Sequence, residues 1–220
     1  SFSLQFVLVL IGTFMIALVL TPLVRLFSFK IDAVDYPNAR RINTKPMPSA
    51  GGLSIVIAFS IATLVFIPML TSTTAPIKSY LSYTLPVVGA GWIIALTGLI
   101  DDVKELSAKK KMIGILLAAS LVWFLTDFRL NDFKIPFGGP LLHFEPWLSY
   151  LLTVIWIVAI TNAVNLIDGL DGLVSGVSII SLVTMGIVSY FFLPVPNLFL
   201  TMTIFVLVAS IAGFFPFNYH

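Results

Sequence analysis

Cysteine is absent from the 220 residues. Within this chain that excludes disulfides, thiolate nucleophiles and cysteine metal sites, while leaving the compartment open. Histidine occurs only at His143 and His220. Chemistry upstream of the C-terminus therefore falls to carboxylates, amides, lysines and arginines. Charge is scarce as well: Asp, Glu, Lys and Arg make up 10% of the chain, against roughly 25% in soluble domains. The net charge of +2 is too small to suggest a nucleic-acid partner. No repeat, low-complexity stretch or linker divides the sequence, so 1–220 reads as one integral-membrane domain. Hydrophobic residues are plentiful, at 59%, with a mean hydropathy of +1.07. The expected fold is all-α, a polytopic membrane helix bundle.

A spanning helix needs about 20 mostly apolar residues. Apolar runs place spans near 3–24, 50–70, 80–100, 112–126, 148–167, 173–193 and 197–216, about seven in all, the fourth being short. The runs are continuous rather than alternating, which disfavours a strand barrel. Residues 2–20 are too long for a signal-peptide core and lack a preceding basic region, so they read as a permanent first span. In segment 127–147, Gly138-Gly139 between short apolar runs reads as a short outer hairpin, although its two prolines weaken the strands. His143 in that loop reads as structural.

Nine of the twelve basic residues fall in segments 25–49 and 101–111. Basic residues are retained in the cytoplasm, so these two segments are expected there, with the N-terminus outside and the C-terminus inside. Seven of the ten acidic residues share that side: Asp32, Asp35, Asp101, Asp102, Glu105, Asp168 and Asp171. The basic bias does not require this, and it points to a cytoplasmic acidic site.

Three segments carry the chemistry. Residues 161–173 read T-N-A-V-N-L-I-D-G-L-D-G-L, directly after an apolar run. Polar clusters at that depth are costly and mark working sites. Asn162, Asn165, Asp168 and Asp171 recur every three residues and converge only if the helix breaks, which Gly169 and Gly172 permit. Their oxygens suit a hard cation such as Mg²⁺; helix capping and interhelical hydrogen bonds are the plainer reading. Asp101-Asp102 ends another apolar run, and adjacent helical residues point about 100° apart. One member is expected at the reacting centre and the other orienting it. Lys109, Lys110 and Lys111 serve either as a membrane anchor or, if Ser107 caps the next helix, as a phosphate site with the free N–H groups there. Segment 32–52, D-A-V-D-Y-P-N-A-R-R-I-N-T-K-P-M-P-S-A-G-G, offers Arg40, Arg41 and Lys45 to a diphosphate, with a lipid-facing anchor as the alternative. Gly51-Gly52 allows close packing or close approach of a ligand.

Together D-Y-P-N-A-R-R-I-N-T-K-P-M-P-S-A-G-G-L, L-I-D-D-V-K-E-L-S-A-K-K-K and N-A-V-N-L-I-D-G-L-D-G-L, in this order, resemble the polyprenyl-phosphate N-acetylhexosamine-1-phosphate transferases, of the glycosyltransferase 4 type. D-x-P-N-x-R and K-P-x-P-x-x-G-G are closer to the branch initiating teichoic acid, O-antigen or enterobacterial common antigen than to the muramoyl-pentapeptide branch. The resemblance implies transfer of a hexosamine-1-phosphate from a UDP-sugar, UDP-GlcNAc by default, to undecaprenyl phosphate at the cytoplasmic face of a bacterial plasma membrane. UMP is released, and Mg²⁺, or Mn²⁺ in its place, is the implied cofactor. By the same resemblance Asp101 and Asp102 are the acidic pair of catalysis and lipid-phosphate activation. Asn165, Asp168 and Asp171 belong to the nucleotide and metal segment, with Asn165 and Asp168 as metal ligands, Asn165 also in substrate binding, and Asp168 and Asp171 in catalytic roles. Lys45, with Arg40, Arg41, Lys111 and Asn162, falls to substrate binding. Partners are the UDP-sugar, the lipid phosphate and the bilayer; a homodimer is left open. Family members continue with P-A-K-x-x-x-G-D-x-G-S, whose Asp is a main metal ligand, whereas this chain stops at F-N-Y-H. It is therefore expected to be a fragment. The competing classes are an ion-coupled transporter and a non-catalytic scaffold. Transporters hold ionisable residues near mid-membrane, whereas these lie at span ends.

Overall fold

The computed structural model describes residues 2–35, 47–48, 52–71, 77–167, 173–194 and 198–218. Among the described residues the architecture is predominantly helical. Helix α1 spans Phe2–Lys30. Two short strands follow, β1 (Val34–Asp35) and β2 (Met47–Pro48). Next come α2 (Gly52–Ile61), a π-helical turn (Ala62–Phe66) and α3 (Ile67–Thr71), which together cross the bundle once. Helix α4 spans Ile77–Lys104 and α5 Ala108–Leu125. Strands β3 (Asp132–Lys134) and β4 (Leu141–His143) precede α6 (Pro146–Ile167). Helix α7 (Leu173–Ile187) ends in a second π-helical turn (Val188–Phe192), and α8 spans Leu198–Asn218.

Among the described residues, six helical stretches are long and apolar enough to cross a membrane. The chain is a multi-pass membrane protein, and large apolar side chains such as Leu8, Ile11, Phe124 and Trp156 face outward accordingly. Helix α5, expected as a short fourth span, is not one of the six, so six rather than seven qualify among the described residues. Its first turn holds three lysines, and residues 112–125 reach only about 21 Å against the roughly 30 Å hydrocarbon core. It nevertheless links the two ends of the bundle, packed between α4 and α6. Helix α1 runs past the expected end of its span, because residues 23–29 stay apolar apart from Arg25 and Ser28. Pro22 lies inside it, which membrane helices tolerate.

Helices α1, α2, α7 and α8 form one group, and α4, α5 and α6 a second; α2 meets α4 along the seam. Small and hydroxyl residues let the first group close tightly. A Cβ on Gly213 of α8 would lie 2.5 Å from the Phe14 carbonyl oxygen and 2.6 Å from Ala17 Cβ of α1. Thr13 and Thr21 turn inward and donate to the carbonyls of Val9 and Ala17, and Thr21 Oγ1 also donates to Ser54 Oγ of α2, 2.9 Å away. Tyr80 Oη donates to the Thr63 carbonyl in the first π-helical turn at 2.6 Å. The main apolar core, Val9, Ala62, Ile67, Tyr80, Met202 and Val206, lies toward the N-terminal end of α1. A smaller cluster, Val24 and Ala33 with Ile31, Leu53 and Leu99, marks the other end.

Helix directions alternate along the chain. The C-terminal ends of α1, α4, α6 and α8 therefore share one end of the bundle with the N-terminal ends of α2, α5 and α7. The described elements that flank 36–46 and 168–172 meet this end: α1, β1, β2 and α2, and α6 and α7. The expected outer hairpin is present at the opposite end, with Phe133 paired to Leu142 and Lys134 to Leu141.

Candidate functional site

The last turn of α4 carries Asp101 and Asp102, and a tight turn hands the chain to α5. Asp101 organises that turn. Its carbonyl accepts from Glu105 N–H at 2.7 Å, and its Oδ1 accepts from Leu106 N–H at 2.8 Å. Its Oδ2 receives Lys111 Nζ at 3.0 Å. Glu105 closes the turn with φ +48°, a left-handed conformation that side chains other than glycine adopt at a cost. Ser107 is the N-cap of α5, and its Oγ accepts from Lys110 N–H at 3.4 Å. The expected cap is thus in place, and the three lysines occupy the first turn of α5. Cations are disfavoured at a helix N-terminus, so Lys111 gains from the nearby Asp101 carboxylate.

These residues line a cleft of about 580 Å³ at the seam of the two helix groups. Gly52, Leu53 and Val56 come from α2, and Asp101, Asp102 and Thr97 from α4. Lys111 and Ile115 of α5 and Thr161 of α6 complete it. One end is charged; the wall leading away is apolar, through Val56, Ile94, Ala95 and Ile115. Glycines widen it. A Cβ at Gly52, Gly91 or Gly98 would meet nothing within 4 Å, so these glycines leave room for a ligand rather than for a neighbouring helix. Gly114 has the opposite use: a Cβ there would lie 2.3 Å from Thr97 Oγ1. It brings α5 hard against α4 beside the cleft.

The structure brings together Asp101, Asp102 and Lys111. Asn162 is exposed on a regular helical turn, and its neighbour Thr161 is the α6 residue on the cleft. Asn165 lies in α6, but its side chain is outside the described residues. Arg40, Arg41, Lys45, Asp168 and Asp171 also lie outside the described residues. Their flanking elements are described. Strands β1 and β2 pair antiparallel, Val34 with Pro48 and Asp35 with Met47. β1 packs on α4 and β2 on α1. Helices α6 and α7 end and begin at Ile167 and Leu173, on either side of 168–172. Ser175 Oγ donates to Asn218 Oδ1 at 2.9 Å, tying the start of α7 to the end of α8.

Thr97 and Thr161 are cleft residues that sequence reasoning missed. Thr97 stands one helical turn before Asp101, a spacing that puts both on one face. Both hydroxyls donate to carbonyls four residues back, of Ile93 and Ile157, as isolated membrane threonines commonly do. Among the described residues no three His, Asp or Glu side chains gather as a metal site. Mg²⁺ is commonly held by one or two carboxylates together with substrate phosphates and water. The acidic end of the cleft fits that partial donor set.

Residues 84–220 match Glycosyl transferase family 4. A probable undecaprenyl-phosphate N-acetylglucosaminyl 1-phosphate transferase of Bacillus subtilis is 37% identical over 217 residues, which cover 98% of this chain and 56% of that protein. A decaprenyl-phosphate N-acetylglucosaminephosphotransferase of Mycolicibacterium smegmatis is 34% identical over 143 residues, 64% of this chain and 34% of that protein. One of the same description from Mycobacterium tuberculosis is 31% identical over 141 residues, 64% of this chain and 34% of that protein. The chain thus spans about half the length of the Bacillus relative and about a third of the mycobacterial ones.

Proposed function

Because this chain belongs to glycosyl transferase family 4, we propose that it forms the membrane-embedded acceptor side of a phosphoglycosyl transferase. The enzyme moves N-acetylglucosamine-1-phosphate from UDP-N-acetylglucosamine to a polyprenyl phosphate, undecaprenyl phosphate in a bacterial plasma membrane. An oxygen of the lipid phosphate attacks the sugar-bearing phosphorus of the donor. The bond from that phosphorus to the bridging oxygen breaks, and UMP leaves with the bridging oxygen and the electron pair. The product is a polyprenyl-diphosphate sugar, the first lipid-linked unit of a cell-envelope polymer. The site faces the cytoplasm in this reading, because most basic residues gather at its end of the bundle.

The observation that carries the reading is the cleft: a charged mouth of Asp101, Asp102 and Lys111 continuous with an apolar wall. That combination matches a lipid phosphate, its headgroup at the mouth and its isoprenoid chain along Val56, Ile94 and Ile115. Asp101 binds Leu106 N–H through Oδ1 and Lys111 through Oδ2, and we assign it a positioning role. Asp102 also lines the cleft; in this reading it faces the substrate and accepts the proton of the acceptor phosphate. Lys111, with Arg40, Arg41 and Lys45, supplies positive charge to the phosphates. Asp102, with Asn165, Asp168 and Asp171, would hold Mg²⁺, which when bound offsets phosphate charge. Carboxylates at a helix end rather than at mid-depth speak against an ion-coupled transporter.

The test uses membranes carrying the full-length protein that contains this chain. They are given UDP-N-acetylglucosamine labelled in the sugar, undecaprenyl phosphate and Mg²⁺. Label should pass into the lipid phase with one UMP released per sugar. Folded protein that leaves all label in the aqueous phase sinks the reading.

A further inference from the structure

We propose that the β3–β4 hairpin, at the end of the bundle opposite the cleft, is a membrane-interface anchor whose apolar face and tip sit among lipids. Its register pairs Asp132 with His143, Phe133 with Leu142 and Lys134 with Leu141. Side chains alternate across a strand, so Phe133 and Leu142 share one face while Asp132, His143 and Lys134 share the other with Leu141. The polar face is tied by His143 Nδ1 to Asp132 Oδ1. Phe133 and Leu142 are both exposed.

The tip is stranger. Phe137 holds φ +63° and is completely exposed, followed by Gly138 at φ +81°. A left-handed backbone costs a residue with a side chain roughly 1–2 kcal/mol, and a turn facing only water would favour glycine, asparagine or aspartate. An aromatic ring held there at a cost, touching no other part of the protein, calls for apolar surroundings.

The root of the hairpin sets its depth. Leu130 N–H donates to Thr153 Oγ1 at 2.9 Å, and Ser149 Oγ donates to Asn131 Oδ1 at 3.0 Å. Phe144 N–H then donates to the Asn131 carbonyl at 2.8 Å, closing the stem. Ser149 and Thr153 lie in the first two turns of α6, which begins at Pro146 and is itself a candidate membrane span. The root therefore joins α6 about 5–10 Å inside its end. A hairpin fastened at that level emerges in the headgroup region rather than beyond it. Trp147, 65% exposed in the first turn of α6, lies at the same level. Exposed aromatics there, with Lys134 on the other face, match the composition of a membrane interface. The inference does not rest on the transferase reading.

The absence of cysteine makes the test direct. Phe137→Cys and, as a control on the polar face, Lys134→Cys are each labelled with an environment-sensitive fluorophore. The full-length protein that contains this chain, with any cysteine outside it replaced by serine, is then placed in phosphatidylethanolamine–phosphatidylglycerol vesicles. Both positions are exposed, so neither variant disturbs a packed contact. The expected result is a blue-shifted label on Phe137→Cys, quenched several-fold more by a shallow lipid-borne nitroxide than the label on Lys134→Cys, and several-fold less by iodide. Equal iodide quenching of the two labels overturns the proposal. A label on Phe137→Cys shielded from iodide yet untouched by the lipid nitroxide also overturns it, and points to a protein partner.

Discussion

At the hairpin end of the bundle, Trp123 Nε1 donates to Ser149 Oγ at 3.1 Å, and Arg129 covers the indole at 4.4 Å while its Nε donates to the Trp123 carbonyl at 2.7 Å. Ser120 and Tyr150 bond across α5 and α6 at 2.7 Å. At the other end, the same helix α5 begins with three lysines beside a carboxylate and opens on a cleft. The larger apolar core also lies toward the hairpin end, and only a small cluster toward the cleft. One end spends its polar groups on each other and holds the helices in place. The other leaves space and charge for something that is not protein. In the proposed reading, stability and chemistry are thereby separated by the length of one helix.

That separation can be attacked from either side. Asp102→Asn in the full-length enzyme should lower turnover about 10³-fold, within the range for removal of an acid–base group, with an unchanged melting temperature in detergent. An equal loss of melting temperature would make Asp102 structural. Trp123→Ala at the opposite end should cost about 3 kcal/mol of stability and leave turnover per folded molecule within about two-fold. A large loss of turnover in folded Trp123→Ala would show the ends to be coupled. Lys111→Gln should reduce turnover by about 10–100-fold, the scale of one charge-assisted hydrogen bond. Lys111→Arg should restore most of it, since the ion pair with Asp101 survives; failure of that rescue would argue for a role of the lysine ammonium itself.

Much of this was legible before any coordinates. The apolar runs marked the helices, and the expected cap at Ser107 and the turn at Gly138 are both there. Asp101 and Asp102 stand out in the sequence at the end of an apolar run, and the three-lysine run reads as an anchor or a phosphate site; Asp101, Asp102 and Lys111 line the cleft. Thr97 and Thr161 were not legible. A lone threonine in an apolar helix satisfies its hydroxyl locally, as both do here, so nothing in its neighbourhood distinguishes a cleft wall from a lipid face. The division of labour expected of the aspartate pair could not be assigned to either member from spacing. The tertiary structure adds the contacts of Asp101 with Leu106 N–H and Lys111 Nζ, which spacing could not show.

Composition and hydrophobic run length were sufficient for the membrane class and the order of the long apolar helices, because those follow from the cost of placing charge or bare backbone in hydrocarbon. They say nothing of which helices touch. The fit of Gly213 against α1, the pressure of Gly114 on Thr97 and the opening between α2 and α4 depend on distances between segments far apart in the chain. Those distances are set by how side-chain volumes fill the space between helices, and that was decided only when the helices packed.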